Sequence, residues 1–188
     1  MKIEFGRDWS EFLRLLISKR VKFVLIGGHA VAGHGEPRLT EDLDVLVEAS
    51  LANARRLASA LRDFGFGSAT PSVEDLAQLG KIWMLGRKPW RIDILTQIDG
   101  VEFSEVWRGR VELQFEKGRL PVIGVAELIR NKRAAGRPKD LGDVAALEAA
   151  RAHESRAGKR AGKRRRPAPA TSRGDVKRAV RRRSKPNK

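Results

Sequence analysis

Large apolar side chains almost disappear towards the end of this chain, and that boundary limits where a folded core can form. Beyond about Arg156 the sequence consists mainly of Lys, Arg, Ala, Gly, Pro and Ser. Such a segment buries too little apolar surface to offset its loss of conformational entropy. We therefore expect a globular domain over residues 1–153 and a disordered, Lys/Arg-rich tail over residues 154–188.

The charge of the chain divides at nearly the same place. The 188 residues carry a formal net charge of +16, yet the first 150 hold 23 basic and 21 acidic side chains, whereas the remainder hold 16 basic and 2 acidic ones. Runs such as Lys163–Arg166 and Arg181–Arg183 match a polyanion electrostatically. The tail is therefore expected either to tether RNA without reading its sequence or to act only as a solubilising extension, because charge runs carry no specificity.

Several chemistries and locations are excluded by the residue types. The chain has no cysteine, which rules out disulfides, cysteine-ligated zinc, iron–sulfur clusters and thiol nucleophiles. The amino terminus is charged, and the longest largely apolar run, Phe23–Gly33, is shorter than the ~20 residues that a membrane span needs. We expect a cytoplasmic protein with no membrane partner.

Short β-rich runs alternate with stretches of helical periodicity in the first 150 residues. Strands are expected near 21–26, 43–48, 81–85 and 90–95 and in a hairpin over 111–123, and two late helices over 125–135 and 139–152. Strands interleaved with helices predict an α/β or α+β domain.

Three carboxylates within two of these strands form the strongest candidate site. Asp42 and Asp44 are two residues apart, so their side chains point to the same face of a sheet. Asp93 interrupts the apolar run Ile92–Leu95. Partly buried like charges repel unless a cation lies between them, and Mg²⁺ with oxygen ligands is the usual cation beside phosphates. Three carboxylates converging on one or two Mg²⁺ ions are typical of displacement at phosphorus.

A glycine pair stands at the end of the first of these strands. Because Gly27 and Gly28 have no Cβ, backbone N–H groups can approach a phosphate there, and the helix that begins at this point adds its dipole. Together with Mg²⁺, this turn predicts a site for a nucleoside triphosphate.

The glycine pair and the carboxylates occur at a spacing known from a large superfamily. Ile26-Gly27-Gly28 is followed, after thirteen residues, by Asp42-Leu43-Asp44-Val45. This pattern resembles the motif of the nucleotidyltransferase superfamily that includes DNA polymerase beta.

Two longer strings resemble a subgroup of that superfamily. Gly27–Val31 with Arg38 and Thr40 is similar to the minimal nucleotidyltransferases of the AbiEii type, which are often toxins of bacterial toxin–antitoxin pairs. Leu128–Arg133 with Arg137–Asp143 also resembles that group, in which a Lys and a following basic-Asp-x-x-Asp helix close the site. The resemblance spans roughly residues 20–150.

The resemblance implies a nucleotidyltransferase fold, with a mixed sheet flanked by helices, two Mg²⁺ ions, and transfer of a nucleoside monophosphate from a triphosphate to a hydroxyl. The expected metal ligands are Asp42, Asp44 and Asp93, which with Lys132 form the expected catalytic set, and the expected nucleotide-binding residues are Gly27, Gly28, Arg38, Thr40 and Asp140.

Individual roles follow as hypotheses. Asp93 is expected to complete the metal that activates the attacking hydroxyl, or to act as its base. Thr40 is expected to hydrogen-bond a phosphate or to orient Asp42. Lys132 would neutralise charge on the leaving pyrophosphate, and Asp140 with Asp143, on one helix face, would position Lys132 or the base.

Each of these features also has a plainer interpretation. Asp42 and Asp44 could face solvent on an edge strand, and Asp93 could be a single outward-facing charge. Gly27-Gly28 could be only a turn, and Lys132 could belong to a solvated basic helix face.

The favoured function is that of a toxin that transfers a nucleotide to RNA, such as a tRNA end, with an antitoxin protein as partner. The alternatives are transfer to a small molecule such as an antibiotic, and a catalytically silent domain that binds nucleic acid or a protein partner.

Overall fold

Helices and strands alternate along the part of the chain that the structure, a computed structural model, describes, which is residues 3–36 and 38–164. The helices are α1 (Arg7–Ser18), α2 (Gly27–Gly33), α3 (Leu51–Leu61), α4 (Val73–Leu76), α5 (Phe103–Gly109), α6 (Val125–Ala135) and α7 (Pro138–Arg164). The strands are β1 (Phe23–Leu25), β2 (Asp42–Val47), β3 (Ile82–Leu85), β4 (Arg91–Leu95), β5 (Val111–Phe115) and β6 (Gly118–Val122). The predicted elements are thus present, and the predicted bounds of α6 are confirmed.

All six described strands belong to one mixed sheet, in the order β3-β4-β2-β1-β6-β5. Strand β2 is antiparallel to β1 and parallel to β4, and β1 is parallel to β6. The predicted α/β class, with a mixed sheet flanked by helices, is confirmed. Strands β2 and β4 both lie inside the sheet, with a paired neighbour on each side.

The side-chain alternation of β2 and β4 separates an apolar face from a polar one. Leu43, Val45, Ile92 and Ile94 are buried, and together with buried residues of α1 and α3 they belong to a single hydrophobic core. The residues between them, which include the three aspartates, point to the opposite face because successive residues of a strand alternate. Burial of the apolar residues therefore fixes the register of the two strands, and in that register the carboxylates lie on the opposite face of the sheet.

Helices α6 and α7 are joined by a short turn at Gly136, which adopts a left-handed conformation (φ +63°). Its N–H donates to the carbonyl of Lys132, so α6 ends with a glycine at the position where helices commonly need one. Pro138 begins α7, where a missing N–H costs nothing. This turn places the amino-terminal part of α7 beside the end of α6.

Helix α7 extends further than the sequence predicts. It continues to Arg164, so its last eleven residues fall in the segment for which disorder was expected; Ala, Arg and Lys, which favour helix, are abundant there. The rest of the expected tail, residues 165–188, lies outside the described residues. No helix within the described ranges is long and apolar enough to cross a membrane.

Candidate active site

The three aspartates lie on one face of two adjacent strands. In the parallel pair β2–β4, Asp44 is in register with Asp93, and Asp42 is in register with Arg91. Side chains in register across a sheet project from the same face, so Asp93 joins Asp42 and Asp44 as predicted. Because β2 is an inner strand, the interpretation of these residues as solvent-facing groups of an edge strand is wrong.

Arg91 connects two of these carboxylates. Its Nε and one terminal nitrogen donate to the two oxygens of Asp93, each at 2.8 Å, and that terminal nitrogen also donates to Asp42 Oδ2 at 2.9 Å. The hydrogen bond to Asp93 is the main cause that raises the pKa of Arg91 above its usual range. Arg91 is not among the predicted site residues, although its position two residues before Asp93 puts it on the same strand face.

The remaining carboxylate groups are poorly compensated. Burial, followed by the charges of Asp93 and then Asp42, raises the pKa of Asp44 to about 6, while Lys139 and Lys132 oppose the shift. Asp42 Oδ1 is buried and accepts no hydrogen bond. A buried anionic oxygen without a partner is costly, so this part of the site favours an added cation.

The glycine pair is required by close packing against the site. Gly27 has φ +66°, and a Cβ there would overlap the Asp44 carboxylate. A Cβ on Gly28 would lie 2.9 Å from the Thr40 Cβ. The Thr40 hydroxyl in turn donates to the backbone carbonyl of Asp42 at 3.1 Å. The described contacts of the glycine pair and Thr40 thus support the aspartates of β2, which agrees with the expectation that Thr40 orients Asp42.

Lys132 lies at the centre of a buried cluster of charges. Its Nζ donates to Asp140 Oδ1 at 2.8 Å and to Asp143 Oδ2 at 2.7 Å, and all three side chains are at most 8% exposed. Arg38 Nε lies 3.3 Å from Asp143 Oδ1, without the geometry of a hydrogen bond. The interpretation of Lys132 as part of a solvated basic face is therefore wrong, and its contacts agree with the hypothesis that Asp140 and Asp143 position it.

One cavity of about 280 Å³ brings the predicted residues together. Its lining includes every residue of the expected catalytic and nucleotide-binding sets: Gly27, Gly28, Arg38, Thr40, Asp42, Asp44, Asp93, Lys132 and Asp140. The lining also contains polar residues that are not members of the expected catalytic and nucleotide-binding sets: Arg91, Gln97, Asp99, Asn131, Arg137 and Lys139. A larger hollow of about 510 Å³ between α6 and α7, bordered by Ile129 and Arg133, contains none of the aspartates.

The donor set of the cavity fits a hard divalent cation only in part. Carboxylate oxygens suit Mg²⁺, and Asp42 Oδ1 with the Asp44 carboxylate offers unbonded oxygens. Both oxygens of Asp93, however, are already bonded to Arg91. No three acidic or histidine side chains among residues 3–36 and 38–152 are grouped as a complete metal site. Asp42 and Asp44 thus offer unbonded oxygens, whereas a metal would have to share Asp93 with Arg91.

No protein-family model matches the chain, and a search of curated proteins returned no significant match. A function for this chain must therefore be inferred from the chemistry of the cavity.

Proposed function

We propose that this chain is a Mg²⁺-dependent nucleotidyltransferase, with a nucleotidyltransferase fold, that transfers a nucleoside monophosphate from a nucleoside triphosphate to a hydroxyl. The observation that carries the proposal is the convergence of Asp42, Asp44 and Asp93 in one cavity. The same cavity is lined by Arg137 and Lys139, which are called its basic wall. Carboxylates attract the metal, and the basic wall attracts the phosphates. Such a pairing suits a substrate that arrives as a metal–triphosphate complex.

The carboxylates of the sheet would hold the cation. Asp42 and Asp44 offer the unbonded oxygens, and Asp93 either completes the ligand set or accepts the proton of the attacking hydroxyl. When bound, Mg²⁺ would polarise the phosphorus–oxygen bonds and offset charge in the transition state. The inner position of β2 and β4 keeps the backbones that carry these ligands at a fixed spacing.

The basic wall would bind the triphosphate. Arg137 and Lys139 are exposed at the cavity, and their side chains form no ion pair with the described residues. They are therefore better placed than Lys132, which is committed to two carboxylates, to neutralise a departing pyrophosphate. Lys132 would instead hold α6 and α7 together through its two ion pairs.

The direct experiment is to incubate the protein with each labelled nucleoside triphosphate, Mg²⁺ and total RNA, and to look for labelled product. We expect transfer by the unaltered protein and its loss, by about 10³-fold, in Asp42→Ala, because several kcal/mol of metal-dependent stabilisation disappear. Glu112→Gln, on β5 of the same sheet and outside the cavity, should retain full activity. Transfer by Asp42→Ala at the normal rate would contradict the proposal.

The basic tail suggests RNA as the acceptor, with the protein acting as a toxin that an antitoxin protein would control. The Lys/Arg runs on which this suggestion depends lie mainly outside the described residues, and only their charge is used here. Deletion of residues 156–188 is expected to weaken RNA binding and to reduce its dependence on salt, because fewer counterions are released. Filter binding at low and high salt measures both effects. Unchanged binding at both salt concentrations would favour a small hydroxylated acceptor instead.

One observation favours a second candidate function, a catalytically silent domain. Arg91 already supplies a positive charge to Asp42 and Asp93, as a resident cation would in a protein that no longer binds metal. Such a domain would bind nucleic acid or a protein partner. Equal RNA binding by the unaltered protein and by Asp42→Ala, with no labelled product from either, would support this alternative.

A further inference from the structure

One basic side chain of the cavity hydrogen-bonds the carboxylates of the sheet, and its position conflicts with the proposed metal. The guanidinium of Arg91 forms three hydrogen bonds of 2.8–2.9 Å to the carboxylates of Asp42 and Asp93. We infer that Arg91 competes with a divalent cation for these two carboxylates, so that metal loading is an exchange in which the guanidinium must leave. This inference rests on the proposed function, because it names the residue that controls its metal site.

Arg91 already hydrogen-bonds three of the six carboxylate oxygens of the three aspartates. Arg91 uses both oxygens of Asp93 and one of Asp42, which leaves Asp42 Oδ1 and the Asp44 carboxylate for a metal. A cation bound only there lacks Asp93 as a ligand. It would also lie close to a guanidinium, and like charges a few ångströms apart repel each other. A metal that also binds Asp93 would therefore have to compete with Arg91 for that carboxylate.

The released guanidinium would find a new partner within the same cavity. Arg91 lines the same cavity as Arg137 and Lys139, and its side chain is 25% exposed, so it can turn without unfolding the strand. A planar guanidinium binds phosphate oxygens in pairs. The triphosphate thus offers Arg91 a new partner at the moment when the metal takes the old one. Metal and triphosphate should then favour each other's binding, since such coupling is reciprocal.

Other charges near the carboxylates do not replace Arg91. Lys88 Nζ lies 4.0 Å from Asp42 Oδ2 and 3.4 Å from Glu41 Oε2, and its side chain is 56% exposed. An exposed amine at that distance is screened by solvent and contributes little. Lys132 and Lys139 act on Asp44 only through space. Among the described residues, Arg91 is the cation that hydrogen-bonds Asp42 and Asp93.

The test is to titrate the purified full-length protein with Mn²⁺, a paramagnetic substitute for Mg²⁺, and to follow free Mn²⁺ by electron paramagnetic resonance without nucleotide. We expect Arg91→Gln to bind Mn²⁺ about tenfold more tightly than the unaltered protein, because a competing charge is gone. Arg91→Lys, which keeps the charge but loses the planar fork, should fall between them. Arg133→Gln, an exposed arginine of α6, should bind as the unaltered protein does.

A second measurement does not depend on a variant that folds. In the ¹⁵N-arginine-labelled protein, the Nε–H resonance of Arg91 should move when Mg²⁺ saturates the site. Mg²⁺ binding, seen by calorimetry, without movement of that resonance would overturn the inference, as would equal Mn²⁺ affinities for Arg91→Gln and the unaltered protein.

The two proposals can fail separately. Equal Mn²⁺ affinities that both fall on adding Asp44→Asn would remove the exchange by Arg91 and leave the metal site of the proposed function in place. No Mn²⁺ binding by any variant would overturn the exchange together with the metal site. Binding by Arg91→Gln and not by the unaltered protein would support the competition and would favour the silent domain over the enzyme.

Discussion

Asp44→Asn is expected to abolish nucleotidyl transfer and, at the same time, to stabilise the metal-free protein at pH 7. Both effects have the same cause, which is a carboxylate held in a partly buried site beside Asp93 and Asp42. Asn keeps the shape of the side chain next to Gly27 but carries no charge. The proposed metal site loses a ligand, and the fold loses an unfavourable charge.

The pH dependence follows from the pKa of Asp44, which is raised from 3.8 to about 6 in the folded protein. The folded state therefore binds a proton at pH values where the unfolded chain has released it. The contribution of Asp44 to stability therefore falls as pH rises from about 4 to 6 and stays lower above that range. The difference corresponds to roughly 2–3 kcal/mol in the free energy of unfolding at pH 7.

Urea denaturation in the presence of EDTA, from pH 4 to pH 8, measures this effect. We expect the curves of Asp44→Asn and the unaltered protein to agree near pH 4 and to separate by pH 7, with the variant more stable. Glu112→Gln, which removes a half-exposed carboxylate paired with Arg110, should change stability by less than about 0.5 kcal/mol. A constant difference across the pH range would contradict the assigned cause.

Lys132→Met is expected to have the largest effect on stability, a loss of about 3–5 kcal/mol in the free energy of unfolding. Methionine fills a similar volume but leaves the carboxylates of Asp140 and Asp143 buried without their ammonium partner. Because these groups join α6 to α7, the variant should loosen that contact before the sheet unfolds.

Denaturant unfolding and hydrogen exchange of the α6 and α7 amides measure the two parts of this expectation. The matched control is Arg133→Met on the same helix, whose ion pair with Glu148 is largely exposed, and which should cost less than about 1 kcal/mol. Adding Asp140→Asn and Asp143→Asn to Lys132→Met should recover part of the loss. A cost of under 1 kcal/mol for Lys132→Met would show that the buried cluster contributes little.

Local patterns in the sequence were sufficient to predict much of this site. Strand alternation places Asp42 and Asp44 on one face, and an isolated aspartate in an apolar run indicates that Asp93 shares a polar environment. Spacing of i and i+3 on a helix correctly groups Asp140 with Asp143, and both bind Lys132. These inferences needed only the period of a helix or a strand.

The contacts that escaped prediction depend on pairings between distant segments. Arg91 reaches Asp42 only because β4 lies parallel to β2, and the two residues are 49 positions apart. Gly27 must lack a Cβ because β2 carries Asp44 against the start of α2, which a turn motif alone does not show. Helix α7 continues beyond the predicted boundary because Ala, Arg and Lys favour helix even where little apolar surface can be buried.

Strands β2 and β4 are each hydrogen-bonded to a neighbour along both edges. Their ladders leave little freedom for the aspartate backbones to separate or approach. Any adjustment of this site to an incoming ligand therefore has to come from the long basic side chains around it. These side chains can exchange one anionic partner for another while the backbones that carry the aspartates keep their positions.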